Sequence, residues 1–146
     1  MSPNDPLLIE ELRRDECVRY KPYLDTEGHP TVGVGHNLDA HPLPSGTEYP
    51  LTDAQVDSIL IDDLTHTFSC LDKHIGWWRT LTYARQRALV NMCFNMGINS
   101  LLEFHHTLGC ITSGDYEGAA EAMLASRWAA QVGDRSVRLA DMMEAG

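Results

Sequence analysis

A mostly helical α+β fold is what this chain predicts, on three observations. Apolar residues recur with helical periodicity from Val56 to Leu71. A turn-rich tetrad, Asp25-Thr-Glu-Gly28, separates two short stretches of strand character, and the second, Thr31-Val-Gly-Val-Gly-His36, alternates strictly. Beyond Gly76 the sequence is punctuated by helix caps and helix stops, with no further strand signal.

Taken in order, Asn4 or Asp5 caps a first helix, with Pro6 in its first turn where a missing N–H costs nothing. Leu8, Leu12 and Asp15/Glu16 follow at helical spacing, so this helix covers 5–17 and puts Glu16 in its last turn. Tyr20 to Leu24 then reads as a strand. Gly28 suits the positive φ of a turn, and Pro30 marks an edge or a strand start. That strand is expected to carry Val32, Val34 and His36 on one face. Thr31, Gly33 and Gly35 fall on the other, a nearly bare surface suited equally to the floor of a groove or to close packing against another element. Residues 37–50, rich in proline, read as a loop with one short extra strand.

Thr52 and Gln55 form a capping box that opens a long helix over 52–73. Thr82 caps a helix with Ala88, Leu89, Met92, Cys93 and Met96 facing inward and Gly97 ending it. Short helices follow over 100–104 and 107–112, then an Ala-rich helix capped by Asp115. Ser126-Arg-Trp128 leads to a turn at Gly133 and a last helix from Arg135 towards Met143. The chain therefore reads as a single domain of two lobes. One spans about 14–50 with the small sheet; the long helix links it to a helical lobe over 76–146, with which the 5–17 helix is grouped.

Composition narrows the function. With 43% hydrophobic and 22% charged residues the 146-residue chain is an ordinary globular protein. A formal charge of −10 gives its surface no general attraction for nucleic acid or anionic lipid. The N-terminus lacks a basic segment followed by an apolar run, so neither a signal peptide nor membrane insertion is expected. Synthesis in a host cytoplasm follows. The four cysteines, Cys17, Cys70, Cys93 and Cys110, have no CxxC spacing, and none completes a zinc pattern with the histidines. No metal and no cofactor are expected. His105-His106 is only a dipeptide, and His36 with His41 lacks a third ligand.

Glu16, Asp25 and Thr31 are the chemical focus. A helix end and a hairpin bring an acid, a second carboxylate and a hydroxyl to one place, which is the equipment of a glycosidase. Taken singly, Glu16 and Asp25 are two of 21 acidic residues, most of them solvated.

Glu16 and Asp25-Thr-Glu-Gly-His-Pro-Thr-Val-Gly-Val-Gly-His36 resemble the signature of the phage-type lysozymes, glycoside hydrolase family twenty-four. Two later blocks agree in order and spacing. Arg85 to Gly97 is similar to that family's central buried helix, and Ala125-Ser-Arg-Trp128 with Arg135 is similar to its Ser-Arg-Trp motif and following arginine. The resemblance implies a lysozyme-like fold with a cleft between the two lobes. It also implies hydrolysis of the β-1,4 bond between N-acetylmuramic acid and N-acetylglucosamine in peptidoglycan.

Carried over by position, Glu16 is the general acid, Asp25 faces the developing positive charge, and Thr31 helps Asp25 hold the attacking water. A water between the two side chains implies inversion. Phe94, Asn95, Thr107 and Arg135 fall where relatives contact saccharide or line the cleft, Arg135 pairing with the catalytic Glu. His36 braces the structure, with Asp63 as its partner from the register of the long helix, beside Gly33 and Gly35. The resemblance further implies a monomer acting on glycan strands of the cell wall. In a phage setting it implies a separate pore-forming holin.

The sequence departs from the family in its acidic charge, and Ala122 replaces an asparagine that contacts substrate in some relatives. Two other readings stand beside hydrolysis. A lytic transglycosylase cuts the same bond but needs no water-holding pair, and a non-catalytic peptidoglycan-binding protein needs no carboxylates; this chain keeps Asp25, Thr31 and both acids.

Overall fold

The computed structural model describes residues 1–146 as eight α-helices, one 3₁₀ turn and a three-stranded antiparallel sheet. Contacts divide the chain into two compact units. One comprises Ser2–His66; the other comprises Thr67–Gly146 together with Met1. Helix α2 (Asp53–His74) runs through the division.

In the first unit, α1 (Pro6–Glu16) starts on Asp5, whose side chain accepts from the Leu8 N–H. It ends because Cys17 adopts φ +58, a left-handed conformation. The sequence grouped this helix with the helical lobe, whereas its contacts join it to the small sheet's unit. Arg13 shows why: it donates to Asp57 at 2.7 Å and Asp53 at 3.0 Å, at the start of α2. Leu8, Leu12, Val32, Val34, Leu51, Val56, Leu60 and Leu64 are this unit's buried apolar residues. The expected capping box closes α2 in both directions. Thr52 N–H donates to Gln55 Oε1 at 2.8 Å, and Gln55 N–H to Thr52 Oγ1 at 3.2 Å.

The sheet is β1 (Arg19–Leu24), β2 (Pro30–Gly33) and β3 (His36–Asn37), in that order. Here one expectation is corrected. The alternating run 31–36 is not one strand: it reverses at Val34-Gly35, so that Val32 pairs with His36 and Thr31 with Asn37. Gly33 (φ +68) and Gly35 (φ +65) make the reversal, because these conformations suit glycine and strain other residues. Between β1 and β2, Tyr23 pairs with Thr31 and Leu24 with Pro30, but register is lost between Arg19 and Tyr23. Pro22 lies in that stretch, on an edge strand, where its missing N–H is tolerated.

The second unit is helical. Its 3₁₀ turn (Gly76–Thr80) precedes α3 (Tyr83–Met96), α4 (Ile98–Leu102), α5 (His105–Thr112), α6 (Tyr116–Leu124), α7 (Arg127–Val132) and α8 (Asp134–Ala145). Side-chain caps at Thr82, Asp115 and Ser126 start α3, α6 and α7. Helix α6 packs against α5 and α8, and α3 against α8. Trp78, Leu89, Met92, Met123, Leu139 and Met143 are fully or almost fully buried there. All four cysteines are free thiols. No helix is long and apolar enough to cross a membrane.

Candidate active site

The first unit holds Glu16, Asp25 and Thr31. Glu16 is the last residue of α1, half-buried. Its carboxylate lies against the Val34-Gly35 reversal. A Cβ on Gly35 would stand 2.9 Å from Glu16 Oε2 and 3.2 Å from the carboxyl carbon, so the carboxylate occupies space that only glycine leaves open.

Asp25 sits where β1 turns towards β2, and its Oδ1 accepts the N–H of His29 at 2.8 Å and of Glu27 at 2.9 Å. The turn closes around it, with Asp25 N–H donating to the His29 carbonyl and Gly28 N–H to the Asp25 carbonyl. The His29 N–H, ahead of that of Glu27, holds the Asp25 carboxyl below the usual carboxylate range, against a smaller opposing effect of desolvation. Thr31 is buried, at 4% exposure, and its hydroxyl donates to the His29 carbonyl at 2.9 Å. His29 backbone therefore anchors both Asp25 and Thr31. With its proton engaged, Thr31 Oγ1 offers a lone pair, and so does the carboxylate.

Tyr23 was missed by the sequence reading. It is the cross-strand partner of Thr31, so the two side chains share a face of the sheet. Desolvation raises its phenol pKa, and the negative charges of Glu16 and Asp25 raise it further, while Arg19 opposes them. The Arg19 guanidinium lies 4.9 Å from the Tyr23 ring centroid. Counting strand register outwards from the Asp25–Gly28 turn would have found this residue.

His36 stands behind the hairpin. Its Nδ1 lies 2.7 Å from Asp63 Oδ2 and its Nε2 lies 2.7 Å from the His41 carbonyl. Two acceptors face two ring nitrogens, a pattern that fits the imidazolium, which donates from both. The Asp63 hydrogen bond is the main cause of a raised His36 pKa, with desolvation pulling the other way. Gly33 is less constrained than Gly35: a Cβ there would meet only Val56 Cγ1, at 3.9 Å.

The remaining predicted residues belong to the second unit. Phe94 is half-buried and Asn95 exposed near the end of α3, and Asn95 Oδ1 accepts the Trp128 Nε1 proton at 2.8 Å. Thr107, 3% exposed, lines a pocket of about 410 Å³ with Phe104, His106, Ala122 and Ser126. Arg135, at the start of α8, donates Nε to Asn91 Oδ1 at 2.8 Å.

The class of protein follows from comparison with known proteins: this mostly helical α+β chain with its small antiparallel sheet is a lysozyme-like glycoside hydrolase. The model of the phage lysozyme family matches residues 13–141, and the chain belongs to that family. It is 31% identical over 152 residues to the pre-baseplate central spike protein Gp5 of Enterobacteria phage T4. That alignment takes in 90% of this chain but only 26% of the spike protein's length. It is 27% identical over 156 residues to probable T4-type lysozyme 1 of Dictyostelium discoideum, covering 92% of each chain. It is also 30% identical over 118 residues to the endolysin of Salmonella phage P22, covering 80% of this chain and 77% of that one.

Proposed function

We infer that this chain hydrolyses the β-1,4 bond between N-acetylmuramic acid and N-acetylglucosamine in bacterial peptidoglycan, with inversion at the anomeric carbon. Glu16 is the general acid that protonates the leaving glycosidic oxygen. Asp25 faces the oxocarbenium-like transition state and, with Thr31, orients the attacking water. The observation that carries this reading is the shared anchor at His29, which takes the Thr31 proton and gives its N–H to Asp25. A water donating one proton to Asp25 and one to Thr31 Oγ1 has its lone pair directed away from both, towards an electrophilic carbon. Asp25, held ionised by backbone N–H groups, also stabilises the positive charge that develops there. His36 and Asp63 brace the hairpin that places Gly35 against Glu16.

Phe94, Asn95, Thr107 and Arg135 are assigned to saccharide contacts in the helical unit, and the protein acts as a monomer on wall glycan. In a phage it works with a separate holin that opens the membrane. The test is product analysis of purified peptidoglycan digests. Hydrolysis with inversion gives reducing ends that first appear as the α-anomer by proton NMR. A β-anomer first would contradict inversion, and a 1,6-anhydro product by mass spectrometry would assign the transglycosylase reaction instead.

A further inference from the structure

We propose that the helical unit carries a second carbohydrate site, which takes a short neutral stretch of N-acetylhexosamine glycan. A pocket of about 490 Å³ is lined by the 3₁₀ turn over 76–80, the C-terminal end of α5 and the first residue of α6. That volume lies within the range of about 300–1,000 Å³ usual for small-molecule sites. None of its lining side chains is charged, in a chain whose net charge is −10. An ionic ligand would find no counter-charge on these walls.

The chemistry that remains is aromatic and hydroxylic. Trp77 and Tyr116 line the pocket together with Thr80, Thr112 and Ser113. Each hydroxyl already donates its proton to a backbone carbonyl: Thr80 to Trp77 at 2.6 Å, Thr112 to Gly109 at 3.0 Å, and Ser113 to Cys110 at 3.0 Å. What they offer a ligand is therefore acceptor oxygens. A ligand rich in O–H and amide N–H donors, with apolar C–H faces for aromatic rings, is a hexosamine.

Two adjacent tryptophans differ in role. Trp78 is fully buried and donates its indole N–H to Asp72 at 2.8 Å, whereas Trp77 is half-buried at the pocket. Tyr116 is held in place, with the Arg85 guanidinium 3.4 Å from its ring centroid and that arginine fixed by the carbonyls of Met143 and Glu144. Gly114 (φ +79) turns the chain between Ser113 and α6 without adding a side chain to the opening. The walls are thus built before a ligand arrives, which lowers the ordering cost of binding.

This site shares no residue with Glu16, Asp25 and Thr31. Its assignment to wall glycan rests on the function proposed above, but binding is read without cleavage. The experiment titrates the ¹⁵N-labelled Glu16→Gln chain with the N-acetylglucosamine tetramer, a neutral β-1,4 glycan, into the millimolar range. Shifts are expected at the Trp77 indole N–H and at the amides of residues 112–114. Trp77→Ala should weaken binding about tenfold as read at the amides of residues 112–114, and Trp77→Phe should retain most of it. Thr112→Ala, on an exposed side chain, supplies an independent loss should Trp77→Ala disturb the fold. Reporters that stay silent while others shift, no shifts anywhere, or unchanged affinity in folded Trp77→Ala and Thr112→Ala would each overturn the proposal. Clearing of cell walls by the natural chain is scored separately, so failure of hydrolysis and failure of this site are told apart.

Discussion

Gly35 and Glu16 are in direct apposition: a methyl group on the glycine would stand 2.9 Å from the glutamate's Oε2. Gly35 also holds φ +65. Gly35→Ala therefore meets two penalties, backbone strain of about 1–2 kcal/mol and displacement of the Glu16 carboxylate. The expected outcome is a modest loss of stability in urea unfolding with a disproportionate loss of wall-clearing activity. Gly33→Ala, whose Cβ would meet only ordinary contact, should lose similar stability and much less activity. Equal activity losses in the two variants would contradict this account of Gly35.

The His36–Asp63 pair makes stability depend on pH with a definite sign. The folded His36 pKa lies above the ordinary histidine value of 6.5, so the folded state binds the proton more tightly than the unfolded one. The resulting stability is fully present below pH 6.5 and is lost as pH rises through the folded value. Replacing Asp63 by Asn should cost about 2 kcal/mol at pH 5.5, as for a hydrogen bond to a charged group, and distinctly less at pH 8.5. Urea midpoints of the two proteins at both pH values test this; a larger gap at high pH would be the wrong sign.

Asp25 behaves oppositely. Its folded pKa lies below the ordinary aspartate value of 3.8, so its contribution is present above that pH and disappears as pH falls through the lower, folded value. A carboxyl-carbon NMR titration should place the Asp25 midpoint below 3.8. A midpoint at or above it would remove the argument that backbone N–H groups keep this side chain ionised.

Cys17 is the one non-glycine residue at positive φ, at +58. Cys17→Gly should relieve that strain and stabilise the chain by about 1 kcal/mol, seen as a higher urea midpoint. The exposed Cys17 should also be the first thiol to react with a disulfide reagent. Cys93, its thiol pushed up to about 12 chiefly by burial, should remain unreactive until the protein unfolds.

Local chemistry made much of the fold legible. The Thr52/Gln55 box, the caps at Asp5, Thr82 and Asp115, and the glycine that ends α3 each act over a few residues, and each is present where its residue types occur. The register of α2 was enough to propose Asp63 for His36, and the two side chains are 2.7 Å apart. The reversal at Val34-Gly35 was not legible. Alternation of side chains reports only a period of two, and a hairpin that turns on glycines preserves that pattern while reversing direction. Tyr23 escaped for a related reason, because its place opposite Thr31 is a property of strand register. The grouping of α1 with the small sheet depends on Arg13 reaching Asp53 and Asp57, residues distant in sequence.

Wall clearing by Glu16→Gln asks whether Glu16 supplies the proton to the leaving oxygen. On outer-membrane-stripped bacteria followed by turbidity, the natural chain should clear the suspension. The variant, folded by circular dichroism, should be slower by a factor of about 10² or more, the share assigned to general acid catalysis. Clearing by Glu16→Gln at the natural rate would contradict the account.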